Sequence, residues 1–94
     1  MTTAVQATLD LDVRWILHPQ VALRPESFGA LLYHFGTRKL SFLKNRTIVA
    51  IIESLPDHRD MRSAIAAAGI SDSASAPYVR ALETLADSNI ITRP

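Results

Sequence analysis

The side chains able to do chemistry in this chain are few, and their spacing argues against most of it. Histidine occurs at His18, His34 and His58, without a His-x-x-x-His or comparable ligand spacing, so no metal site is expected. Cysteine is absent, which removes disulfides, thiolate chemistry and Cys-based zinc or iron–sulfur sites. Ser41 and His34 fall on neighbouring strand-like runs, but no nucleophile elbow or oxyanion hole accompanies them. With three glycines there is no phosphate-cradling loop. Glu53, Asp57 and Asp60 gather near a helix–helix junction, where carboxylates ordinarily start helices and face solvent. The expectation is a non-enzyme that needs no cofactor.

Charge is the next candidate. Arg38, Lys39, Lys44 and Arg46 place four cations in nine residues with no acid among them. They fit a steering patch for an acidic peptide or a partner enzyme. They equally fit charges that blunt an exposed strand edge against aggregation. A winged-helix DNA-binding protein is the alternative function. Its reader would be the third helix, which carries only Arg80 beside Glu83 and Asp87. Recognition helices usually supply several donors to bases and phosphates. Ten basic and nine acidic residues give a net charge of +1, which is no concentrated positive field. No nucleic-acid partner is expected.

The elements that would position a site follow from periodicity. Val13 to Leu17 is an extra strand or an extended segment that packs Trp15 on the core. Gln20 to Arg24, between Pro19 and Pro25, fits a strand at an edge or a sheet terminus. Gly29 to Phe35 alternates Leu31, Tyr33 and Phe35 with Ala30, Leu32 and His34; the aromatic set is expected to face the core. Gly36-Thr37 is a tight turn into Arg38 to Leu43, with Leu40 and Phe42 on one face and Lys39 and Ser41 on the other. These three runs read as an antiparallel meander. The last would lie at the sheet edge and present unpaired N–H and C=O groups to another extended chain. Peptide capture by strand addition is therefore the leading physical hypothesis.

Three helices are expected next. Asn45 caps the first, whose apolar face is Ile48, Val49, Ile51, Ile52 and Leu55, and Pro56 stops it. The second opens at Asp57 or His58 and carries Met61, Ala64, Ile65 and Ala68, with Gly69 just past its end. The third begins at Ser75 or Ala76, takes Pro77 in its first turn and runs to about Ser88, with Asn89 left-handed after it. Ile90 and Ile91 fold back as an apolar hook. Val79, Leu82 and Ala86 form one stripe of the third helix, taken as core. Tyr78, Ala81 and Leu85 form another, taken as lining a groove beside the edge strand; the alternative puts both stripes in the core.

Ninety-four residues make one small domain, and a hydrophobic fraction of 48% is ample for folding. The fold class is α+β: a three-stranded antiparallel meander, then a three-helix bundle, winged-helix-like. Residues 1–12 read as a flexible N-terminal arm and 13–94 as a single recognition domain. Met1 to Asp12 lacks the basic start and apolar core of a signal peptide, and no run approaches a membrane span. A cytoplasmic protein without a membrane partner is expected. The exposed edge or the arm also leaves room for a homodimer by self-pairing or strand exchange.

The element order, together with the junction Leu40-Ser41-Phe42-Leu43-Lys44-Asn45-Arg46-Thr47-Ile48-Val49, resembles the PqqD-like recognition elements of peptide natural-product pathways. That family usually shows a Leu-Asn pair at this junction; here Lys44 separates Leu43 from Asn45. Leu17-His18-Pro19-Gln20-Val21-Ala22-Leu23-Arg24-Pro25-Glu26, Phe28-Gly29-Ala30-Leu31 and Phe35-Gly36-Thr37-Arg38-Lys39-Leu40-Ser41-Phe42-Leu43 look like the mycofactocin-system peptide chaperones. The resemblance covers roughly Trp15 to Thr92. It implies a non-catalytic protein that binds the leader region of a ribosomally made precursor peptide and presents it to a radical S-adenosylmethionine maturase. It also implies that the leader adds as a strand beside Arg38 to Leu43, in a groove closed by the third helix. The peptide-binding candidates are then Arg38, Lys39, Leu40, Ser41, Phe42 and Leu43, with Tyr78, Ala81, Leu82 and Leu85.

Overall fold

Alternation at period two turns residues 21–43 into an antiparallel sheet in the computed structural model, which describes residues 9–94. The elements in chain order are β1 (Ile16–Leu17), β2 (Val21–Glu26), β3 (Gly29–His34), β4 (Lys39–Leu43), α1 (Arg46–Ser54), α2 (Met61–Ala67), α3 (Ala76–Asp87) and β5 (Ile91–Thr92). Short 3-10 turns at Leu55–Asp57 and Asp72–Ala74 precede α2 and α3. The main sheet runs β2-β3-β4, and β1 pairs with β5 in a separate ribbon. This is the expected α+β class, a three-stranded antiparallel sheet followed by three helices.

The register decides which side chains face inward. Leu32 lies opposite Leu23 and Ser41, and His34 opposite Val21 and Lys39. Ala30, Leu32 and His34 are buried, while Leu31 and Tyr33 are half-buried and Phe35 is 62% exposed. The inner face is thus the opposite of the one expected from bulk. The cause is α1, which lies close under β3; small Ala30 and unbranched-at-Cβ Leu32 admit that approach. The aromatic residues find partners on the outer face instead. Tyr33 and Phe35 meet edge to face at 4.8 Å between ring centroids, and Phe28 and Phe42 lie 6.3 Å apart.

Two apolar clusters meet beneath the sheet. Ile48, Ile51 and Ile52 of α1 join Leu55, Met61, Ala64, Ile65, Leu82 and Ile91 in the larger. Val21, Leu32 and Ile90 form the smaller, and Leu17, Leu23, Leu43 and Leu85 pack against both. Ile90 and Ile91 are buried, and the expected hook is β5, paired Leu17 to Ile91 and Ile16 to Thr92.

Local signals set the helix ends. Asn45 caps α1, its Oδ1 accepting from the N–H of Ile48 at 3.0 Å. α2 starts later than expected because Asp60 is the cap: its Oδ1 accepts from the N–H of Ser63 at 2.8 Å. Pro77 sits in the first turn of α3, and Asn89 follows it at φ 61°. The β3–β4 connection is longer than a two-residue turn. It spans 35–38, with Arg38 left-handed at φ 62°, so β4 begins at Lys39.

Of the arm expected over residues 1–12, residues 1–8 lie outside the described residues. Residues 9–12 are packed. Leu9 is 6% exposed, and its N–H donates to Glu83 Oε2 at 2.8 Å. Leu11 and Val13 carbonyls accept from Arg62 and Met61, and Asp12 pairs with the Arg62 guanidinium at 2.9 Å.

Two outcomes test this register. Leu32→Ala is expected to cost about 2–5 kcal/mol in urea unfolding, and Phe42→Ser on the outer face well under half of that. Gly29 sits at φ 148°, and a Cβ there would run into the Leu43 carbonyl oxygen. Gly29→Ala is therefore expected to destabilise the domain by about 1–3 kcal/mol in the same assay.

Candidate functional site

The sheet has two edges, and they differ. β2 carries Pro25, which has no N–H to offer, and the Arg24–Glu26 ion pair at 2.8 Å. β4 has no proline and, among the described residues, pairs only with β3. Its five residues, Lys39, Leu40, Ser41, Phe42 and Leu43, are exposed or half-buried throughout. Among the described residues no strand covers its outer row of backbone donors and acceptors.

Both ends of β4 are held. At the Leu43 end, Gly29 allows β3 to pass close against the Leu43 carbonyl. At the Lys39 end, the buried His34 organises the turn. Its Nδ1 accepts from the N–H groups of Gly36 at 3.0 Å and Thr37 at 3.2 Å, and its carbonyl accepts from Arg38 at 2.6 Å. These contacts tie both ends of the strand to β3 and its turn.

The inner face of β4 carries Lys39, Ser41 and Leu43; the outer face carries Leu40, 56% exposed, and Phe42, 62% exposed. Between the inner side of β4 and the C-terminal end of α3 lies a cavity of about 300 Å³. Lys39 and Ser41 line it from the strand, and Asp87, Ser88 and Asn89 from the helix end. Arg38, Lys39, Lys44 and Arg46 are exposed and make no ion pair among the described residues.

The residues proposed on α3 divide. Leu82 is fully buried at 0% exposure, so it supports the helix from within the core and offers no surface. Tyr78, Ala81 and Leu85 are half-buried and packed against the larger cluster; Val79 and Ala86 are as well. Both stripes of the helix therefore contact the core. Leu85 and Leu43 pack on the same buried group, Val21, Leu32 and Ile90, which ties α3 to the inner end of β4. The part played by His34 and by the polar helix end at Asp87, Ser88 and Asn89 was not foreseen. A lone histidine in an apolar strand gives no sign of its turn contacts.

No helix among the described residues is long and apolar enough to cross a membrane. The family model described as the peptide chaperone MftB family matches residues 14–92. The chain is 64% identical over 88 residues to peptide chaperone MftB of Mycolicibacterium smegmatis, covering 94% of this chain and 86% of that protein. It is 66% identical over 82 residues to the protein of that name from Mycobacterium ulcerans, covering 87% and 75%. With the one from Mycobacterium tuberculosis it shares 59% over 88 residues, covering 94% and 81%. No solved structure matches the chain.

Proposed function

The chain belongs to the peptide chaperone MftB family, and we propose that it binds the leader region of a ribosomally synthesised precursor peptide as a fourth strand on β4. The bound peptide is then offered to a radical S-adenosylmethionine maturase of mycofactocin biosynthesis in the cytoplasm. The chain itself supplies no catalysis and no cofactor; the redox chemistry belongs to the enzyme.

The observation that carries this reading is the asymmetry of the sheet. One edge is blunted by Pro25, while the other is unpaired among the described residues, held at both ends and flanked by a cavity. Backbone pairing gives affinity without regard to side chains, and neighbouring pockets read alternate side chains of the guest. A micromolar complex needs about −8 kcal/mol. Strand hydrogen bonds at about 1 kcal/mol each fall short of that once association entropy is subtracted, so apolar anchors are required. Exposed Leu40 and Phe42, with half-buried Leu43 of the same strand, are the apolar surface within reach of a strand on β4. The exposed cations Arg38, Lys39, Lys44 and Arg46 would speed encounter with an acidic guest or with the enzyme. The same edge would pair with a second copy of the chain, so guest binding and such a homodimer would compete.

Titration calorimetry with synthetic N-terminal and C-terminal halves of the precursor peptide encoded beside this chain tests the role. The N-terminal half is expected to bind at micromolar Kd or tighter with modest salt dependence, and the C-terminal half not to bind. Salt-steep affinity for duplex DNA, with no affinity for either half, would establish the winged-helix alternative. Proline substitution tests the edge. Successive N–H groups of an edge strand point to opposite sides, so one of Leu40 and Ser41 donates outward. Of Leu40→Pro and Ser41→Pro, the outward variant is expected to stay folded and bind at least about tenfold more weakly. If both variants keep full affinity, the guest does not dock on β4.

A further inference from the structure

His34 is 4% exposed, yet it is polar on both sides of its ring. Nδ1 accepts from the N–H groups of Gly36 and Thr37. A ring nitrogen that accepts cannot hold a proton, so the neutral imidazole carries its hydrogen on Nε2. That Nε2–H is buried and has no hydrogen-bond partner among the described residues. Buried donors are ordinarily paired, so this one calls for a partner. The ring of His18 packs against His34, with 4.8 Å between the centroids.

His34 lines the cavity of about 300 Å³ beside β4. The register puts Lys39 directly across from it and Ser41 next along the same inner face. Thr37 lines the cavity from the turn, and Asp87 and Asn89 from the end of α3. Donors outnumber acids here: the Lys39 ammonium, the hydroxyls of Thr37, Ser41 and Ser88 and the Asn89 amide, with the Nε2–H behind them, stand against the exposed Asp87 carboxylate. An apolar side chain entering the cavity would leave the imidazole donor unmatched, and a cationic one would meet Lys39 as well. An oxygen acceptor satisfies both.

We propose that this cavity is a specificity subsite taking one acceptor side chain, a carboxylate or carboxamide, of the peptide docked on β4. The proposal rests on strand addition at β4 and adds what is read there: every second residue of an added strand points to the inner face, where this cavity opens. Strand pairing would fix the register of the guest, and the acceptor in the cavity would select it.

The test uses the full chain and the synthetic N-terminal half of its precursor peptide, with each Asp, Glu, Asn and Gln replaced singly by Leu. His34→Asn is the informative variant. Its short amide retains an acceptor for the Gly36 and Thr37 N–H groups and deletes the far donor. It is expected to bind the parent peptide roughly tenfold more weakly than the wild type does. One Leu-substituted peptide is expected to lose a similar factor with the wild type and nothing further with His34→Asn. Ser41→Val, which leaves the turn alone, is expected to weaken binding in the same direction and to lose the same coupling. Lys39→Met separates the two acceptor types, weakening binding of a carboxylate and not of a carboxamide. Undiminished affinity in folded His34→Asn and in Ser41→Val, with the wild type binding normally, overturns the subsite and leaves strand addition standing. A wild type that binds none of the peptides overturns both.

Discussion

The inward placement of Ala30, Leu32 and His34 is the constraint on which the rest depends. A strand has only two faces, so this choice on β3 fixes the faces of its neighbours through the register. Leu23 and Val21 turn inward on one side, and Leu43, Ser41 and Lys39 on the other. Leu32 then closes over Val21 and Ile90, and α1 lies flat beneath with Ile48, Ile51 and Ile52 buried. A shift of one residue would bury Tyr33 and Leu31 against α1, where there is no room, and strand Leu32 in solvent. The outer face is left with Leu40, Phe42 and Phe35 exposed as a direct consequence.

The same constraint explains why the open edge is β4. A sheet this small cannot close on itself, so it keeps two edges, and each needs a device against unwanted pairing. β2 has Pro25. β4 has, among the described residues, its flanking cations, charges of the kind that blunt an exposed edge. The strand is also held at both ends, by the Gly29 approach to Leu43 and by the His34 contacts to the turn.

Much of this is legible in the residues themselves. Asn45, Pro77, Gly69 and Asn89 mark helix ends by local chemistry, and each sits where that chemistry places it. The face of α1 follows from spacing alone. The three strands and the edge position of Arg38 to Leu43 follow from alternation and the glycine at the turn, although Arg38 itself belongs to the turn. The inner face of β3 is not legible, because both alternating sets are apolar and bulk favours the wrong one. It is decided by how closely α1 approaches, which is a tertiary fact. The β1–β5 ribbon joins two-residue strands from opposite ends of the chain, too short to leave a period. The two stripes of α3 look distinguishable on a helical wheel, but the domain is small enough that both touch the core.

Amide hydrogen exchange along both sheet edges tests the central claim most directly. It reads each N–H group separately, with and without the N-terminal half of the precursor peptide. The account predicts that alternate amides between Lys39 and Leu43 gain strong protection when peptide is added, while those of β2 are unchanged. Protection confined to α3 or to β2, with β4 exchanging as fast as before, would contradict it.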